Sequence, residues 1–77
     1  MIFNDKIKFV IIDNKVITLN LETETFCLLD GYDDFMFFSN IKNCKNLQDI
    51  LDKIKNSGYN VNELVEVYQK SGFLKGE

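Results

Sequence analysis

The order of apolar runs in this 77-residue chain predicts an α+β fold, a three-stranded antiparallel sheet followed by three helices. Two runs of β-branched and aromatic residues flank an Asp13-Asn14 pair, and a third short run, Thr25 to Leu29, follows a polar turn. Two later stretches each begin at an asparagine and place apolar residues at helical spacing, the last closing on Ser71-Gly72-Phe73-Leu74.

The first run, Ile7 to Asp13, and the second, Val16 to Leu21, read as a hairpin because Asp and Asn tolerate the tight turn between them. In the second run Ile17, Leu19 and Leu21 share one parity and Thr18 and Asn20 the other, which predicts that the leucines and isoleucine form its buried face. Glu22-Thr23-Glu24 turns the chain into Thr25-Phe26-Cys27-Leu28-Leu29. Alternation fails there, so the third strand is either short with one buried end or touched on both faces. A meander of this order leaves the third strand at a sheet edge.

Asp30 is expected to cap the first helix, whose opening turn holds Gly31, Asp33 and Asp34, acids that suit a helix N-terminus. Tyr32, Phe35, Met36, Phe37, Phe38 and Ile41 point nearly all round its axis, which predicts a central, buried helix rather than an aromatic box for a cofactor. Asn46 and Asp49 form a capping pair for the second helix, with Leu47, Ile50, Leu51 and Ile54 inward, Asp49, Asp52, Lys53 and Lys55 outward, and Ser57-Gly58 as the stop. Asn60 and Glu63 repeat the device for the third helix. Its stripe is Val61, Leu64, Val65 and Tyr68, and Gly72 ends it. Two short helices joined by a tight turn after a buried one make a helix-turn-helix, and the strands ahead of them make it winged.

Size and composition bound the function. Seventy-seven residues make one domain, 1–77, with a small core and no room for a large enclosed active site. With 45% hydrophobic and 27% charged residues and no proline, the chain is expected to fold throughout, a few end residues apart. A formal charge of −3, with no basic face, argues against nucleic acid. No apolar segment approaches a membrane span and Met1-Ile2-Phe3-Asn4-Asp5 does not open a secretion signal, so the expected location is the cytoplasm and no membrane partner is expected. Cys27 and Cys44 then read as free thiols, and two lone cysteines without histidine close no metal site. The absence of histidine, of a phosphate-cradling glycine loop and of a Ser or Cys nucleophile with partners removes the usual routes to catalysis. No catalytic residue, metal or cofactor is expected.

Val16-Ile17-Thr18-Leu19-Asn20-Leu21-Glu22-Thr23-Glu24-Thr25, leading into Phe26-Cys27-Leu28-Leu29, together with a terminal helix ending Tyr68-Gln69-Lys70-Ser71-Gly72-Phe73-Leu74, resembles the PqqD-like family of precursor-peptide recognition elements. The resemblance spans residues 7–74. It implies a scaffold without chemistry of its own, which binds the leader segment of a ribosomally synthesised precursor peptide as a strand added to the third strand, beside the third helix. It further implies presentation of that peptide to a processing enzyme, a leader peptidase in the lasso-peptide type or a radical SAM enzyme. The chain's own pattern agrees, because the third run carries neither proline nor an inward lysine to blunt its edge.

The expected peptide-binding residues are therefore Thr25, Phe26, Cys27, Leu28 and Leu29 on the strand and Leu64, Val67, Tyr68 and Ser71 on the helix. With Val61 at zero on a helical wheel, Tyr68 lies near ~340°, Leu64 near ~300°, Ser71 near ~280° and Val67 near ~240°, a flank beside the core stripe. The competing reading is a winged-helix DNA-binding regulator. Its recognition helix would present Asn62, Glu63, Glu66 and Lys70, two carboxylates toward phosphate. The oligomeric state is expected to be a monomer or weak homodimer.

Overall fold

A computed structural model describes residues 1–76. Five strands and three helices follow in the order β1 (Ile2–Phe3), β2 (Ile7–Ile12), β3 (Lys15–Asn20), β4 (Thr25–Leu29), α1 (Tyr32–Asn40), α2 (Leu47–Asn56), α3 (Val61–Lys70) and β5 (Leu74–Lys75). The expected three-stranded antiparallel sheet is β2-β3-β4, with β4 at one edge and β2 at the other. Asp13 and Asn14 both take left-handed backbone, φ 52° and 64°, the geometry of a two-residue hairpin whose twist matches its strands. That turn sets the register, Ile12 opposite Lys15 and Ile7 opposite Asn20.

The register reverses the expected faces of β3. Val16, Thr18 and Asn20 are buried against the helices, whereas Ile17 and Leu19 lie half-buried on the outer face and Leu21 is exposed in the turn. Local hydrogen bonding explains why the polar residues go inward. The Thr18 hydroxyl donates to the Cys27 carbonyl at 3.4 Å, and Asn20 Oδ1 accepts from the N–H groups of Glu22 (2.9 Å) and Thr23 (3.3 Å), shaping the loop to β4. A buried polar group so satisfied costs little, and alternation alone does not reveal it.

Near its two ends the chain forms a strand pair that the sequence did not predict: β1 and β5 run antiparallel, Ile2 with Lys75 and Phe3 with Leu74. Asn4, only 2% exposed, anchors the junction. Its Nδ2 donates to Gly72 O (2.9 Å) and Glu22 Oε1 (2.8 Å), while its Oδ1 accepts from Lys6 N–H (3.0 Å).

The helices behave largely as their caps require. Asn46 Oδ1 accepts from Asp49 N–H, and Asn60 Oδ1 from the N–H groups of Asn62 and Glu63. Ile50, Leu51 and Ile54 of α2 and Leu64 and Tyr68 of α3 are buried; Leu47, Val61 and Val65 pack partly against them. Gly58 (φ 94°) and Gly72 (φ 80°) supply the left-handed turns that end the two helices. For α1 the expected Asp30 cap is absent: Gly31 occupies the cap position in extended backbone, and Asp33 Oδ1 instead accepts from Asp34 N–H. Nor is α1 buried all round. Phe37 and Phe38 are enclosed, but Tyr32 is exposed and stacks near Tyr59 and Phe35. Phe38 is the hub, with the rings of Phe3, Phe9, Phe37, Tyr68 and Phe73 at 5.0–5.8 Å. It thus joins the strand pair at the chain ends to the larger sheet.

Candidate peptide-binding site

Hydrogen-bond parity decides which groups β4 offers. A two-residue hairpin makes Ile12 and Lys15 a bonded pair, and Leu21 N–H donating to Lys6 O (3.0 Å) continues the same ladder. The odd-numbered residues of β3 therefore bond to β2. Its even-numbered residues bond to β4, pairing Val16 with Leu29, Thr18 with Cys27 and Asn20 with Thr25. It follows that the N–H and C=O groups of Phe26 and Leu28 point to the open edge, where an extended chain can meet them.

Side chains alternate about that edge. Phe26 (74% exposed) and Leu28 (62%) project from the outer face, while Thr25, Cys27 and Leu29 project toward the helices. Cys27 is exposed even though it lies on the inner face, so no helix covers this end of the sheet. Leu29 alone is half-buried, which selects the short strand with one buried end over a strand touched on both faces. Thr25 is held by its hydroxyl against that of Thr23, at 2.7 Å.

On the helical side a cleft of about 330 Å³ opens between the start of α1 and α3, lined by Asp33, Asp34, Tyr59, Glu63, Leu64 and Val67. Two of the expected helix residues, Leu64 and Val67, thus meet there. Val67 stands 48% exposed, whereas Leu64 is buried and offers only its edge. Tyr68 is fully enclosed and lies behind the cleft, because its position on the wheel is that of the core stripe. Ser71 is exposed at the C-cap of α3, outside the cleft, its N–H donating to Val67 O at 2.9 Å.

The sequence did not foretell the link between α1 and α3. The Tyr68 hydroxyl donates to Asp34 Oδ1, which satisfies the one polar atom of a buried ring. Burial holds the Tyr68 hydroxyl far above its ordinary pKa, reinforced by the bond to Asp34 and by the charges of Asp34, Asp33 and Cys27. Burial also raises the Asp34 carboxyl, with Asp33 and Asp30 adding to the rise and the hydrogen bond from Tyr68 opposing it. A buried tyrosine in an apolar stripe was the available signal that a partner must exist.

Both cysteines are free thiols, and no group of three or more His, Cys, Asp or Glu able to hold a metal occurs among the described residues. No helix among them is long and apolar enough to cross a membrane.

No protein-family model matches the chain, and no curated protein sequence matches it at a significant level. Its fold does match a solved structure, "TbiB1 in Complex with the TbiA(beta) Leader Peptide", with a TM-score of 0.75 and 21% identity over 100% of this chain and 98% of that one. The chain therefore has the fold of TbiB1, a protein solved with a leader peptide bound, in agreement with the PqqD-like resemblance of its sequence.

Proposed function

We propose that this chain binds the leader segment of a ribosomally synthesised precursor peptide as a strand added to β4 and presents it to a processing enzyme. The observation that carries this reading is the open edge of β4, where the main-chain groups of Phe26 and Leu28 face outward beside an exposed inner-face Cys27. Each main-chain hydrogen bond to a docked strand contributes about 0.5–1.5 kcal/mol net, so the two-residue edge supplies register while side chains supply most of the affinity. Alternate residues of the peptide would reach Cys27, Leu29 and the Val67 flank of α3. The residues between them would lie beside Phe26 and Leu28.

In this reading the protein does no chemistry, and its partner is a leader peptidase of the lasso-peptide type or a radical SAM enzyme in the cytoplasm. The strands and helices would then form a winged helix-turn-helix turned from nucleic acid to peptide. A specific contact weighs against DNA: Lys70, the cation of the outward face of α3, is paired with Glu66 at 3.0 Å.

The reading is tested by titrating isotope-labelled protein with leader segments of the precursor peptides encoded beside its gene. Amide shifts are expected to be largest at Thr25–Leu29 and along α3 near Val67. Perturbation centred on the Asp13-Asn14 turn would rule the docking out.

A further inference from the structure

The larger sheet has a second open edge. β2 pairs only with β3 among the described strands, and the same parity that frees Phe26 and Leu28 on β4 turns the N–H and C=O groups of Phe9 and Ile11 outward on β2. Its single charged side chain, Lys8, lies near the start of the strand. Phe9 to Ile12 carry no charge and no proline, the devices that ordinarily blunt an edge. Val10, Ile11 and Ile12 are nonetheless exposed. Beside this edge, a groove of about 320 Å³ between β2 and the end of α1 is lined by Phe9, Val10, Ile11, Phe38, Ser39 and Lys42.

We propose that this edge pairs antiparallel with β2 of a second copy of the chain, the two-fold axis passing at Val10. The strand is complementary to itself in that register. Val10 faces Val10 of the second copy, and Phe9 faces Ile11, both with outward main-chain groups that can exchange hydrogen bonds. Lys8 faces Ile12 rather than another lysine, and the Asp13 at the end of one strand comes beside Lys6 and Lys8 at the start of the other. On the inner face, Ile11 of the second copy enters the groove next to Phe9 and Phe38, whose rings are 5.0 Å apart.

Neighbouring two-fold registers fit less well. Centring on Phe9 would bring Asp13 toward Asp5 of the other copy, a like-charge meeting, and centring on Ile11 would set Phe9 against Asp13 and shorten the ladder. A strand from an unrelated protein would need to reproduce this charge order. The second copy has it by construction. The pairing leaves β4 free, so it stands or falls separately from peptide docking there.

Two measurements test it on the full chain. Sedimentation equilibrium from roughly 10 µM to 1 mM should detect a monomer–dimer equilibrium, with Val10→Asp weakening it at least about tenfold because two like charges meet on the axis. In a Cys27→Ser, Cys44→Ser background, Val10→Cys should oxidise to a covalent dimer, since facing residues of a non-hydrogen-bonded antiparallel pair lie about 4.5 Å apart at Cα, within disulfide reach. Leu28→Cys in the same background should cross-link far more slowly. A chain that stays monomeric at 1 mM would overturn the proposal. So would a dimer indifferent to Val10→Asp, or faster cross-linking at Leu28→Cys than at Val10→Cys.

Discussion

The Tyr68 hydroxyl donates a hydrogen bond to Asp34, fastening the core stripe of α3 to the first turn of α1 at the cleft. Both groups respond to their shared burial, and the cleft's geometry depends on their contact. Tyr68→Phe would remove the donor and leave a partly buried carboxylate without it. A loss of about 1–3 kcal/mol is expected in urea unfolding. Asp34→Asn keeps an acceptor oxygen for Tyr68 and should change stability by less than about 1 kcal/mol at neutral pH.

The same pair sets a pH dependence. Because burial raises the Asp34 carboxyl in the folded state, the folded protein holds a proton that the unfolded chain has released over the interval above the ordinary carboxylate pKa. Stability contributed by Asp34 therefore falls as pH rises through that interval. The difference between wild type and Asp34→Asn, measured from pH 3 upward (an interval bracketing the usual carboxylate value of about 4), should show that fall; a rise would reverse the assignment.

Glu22 works in the opposite sense. Hydrogen bonds from Lys75 and Asn4 lower its pKa, with the charges of Lys75 and Lys6 assisting. Its contribution is present above the unfolded value and is lost as pH falls through the folded one. The protection of amides in β1 and β5, taken relative to the intrinsic exchange rate at each pH, should fall on acidification, and in Glu22→Gln this fall should be reduced.

Asn4→Ala should be among the costliest polar substitutions. It removes the donor to Gly72 O and the acceptor for Lys6 N–H where the two chain ends meet the sheet. A loss of about 1–3 kcal/mol in thermal or urea unfolding is expected, because a buried side chain gives up its packing together with its bonds to Gly72, Glu22 and Lys6.

Cys27 offers a direct report on peptide docking. Its thiol is exposed on the inner face of β4, whereas Cys44 is partly covered between α1 and α2. A bound leader should slow maleimide labelling of Cys27 and leave Cys44 unchanged, as read by mass spectrometry. Equal labelling of Cys27 with and without bound peptide would place the peptide elsewhere.

Val67→Asp should weaken leader binding at least about tenfold by calorimetry while preserving the unfolding midpoint, since it charges an exposed flank and not the core. Leu64→Asp should damage both, because Leu64 is buried. Added salt should weaken wild-type binding only mildly; a steep dependence would instead indicate phosphate contacts and return the DNA reading.

Local chemistry in the sequence determined the hairpin turn at Asp13-Asn14, the edge position of Thr25–Leu29, the two asparagine caps and the stripes of α2 and α3. The turn, the caps and the stripes depend on residues within a few positions of one another, where backbone preference and periodicity act directly, and the edge follows from the meander order of the strands. Tertiary structure alone decided which face of β3 is buried. Thr18 and Asn20 point inward because that face of the hairpin, with Val16 and Ile7, is the one that packs on the helices, and nearby carbonyl and amide groups satisfy the two polar side chains, although Ile17 and Leu19 are the more apolar pair. It also decided that the chain ends meet, since Asn4 and Gly72 are joined by a bond across 68 positions that no local pattern encodes. The bond from Tyr68 to Asp34 has the same origin: helical periodicity puts a tyrosine in the core, but only the packing of α3 on α1 determines where its hydroxyl finds an acceptor.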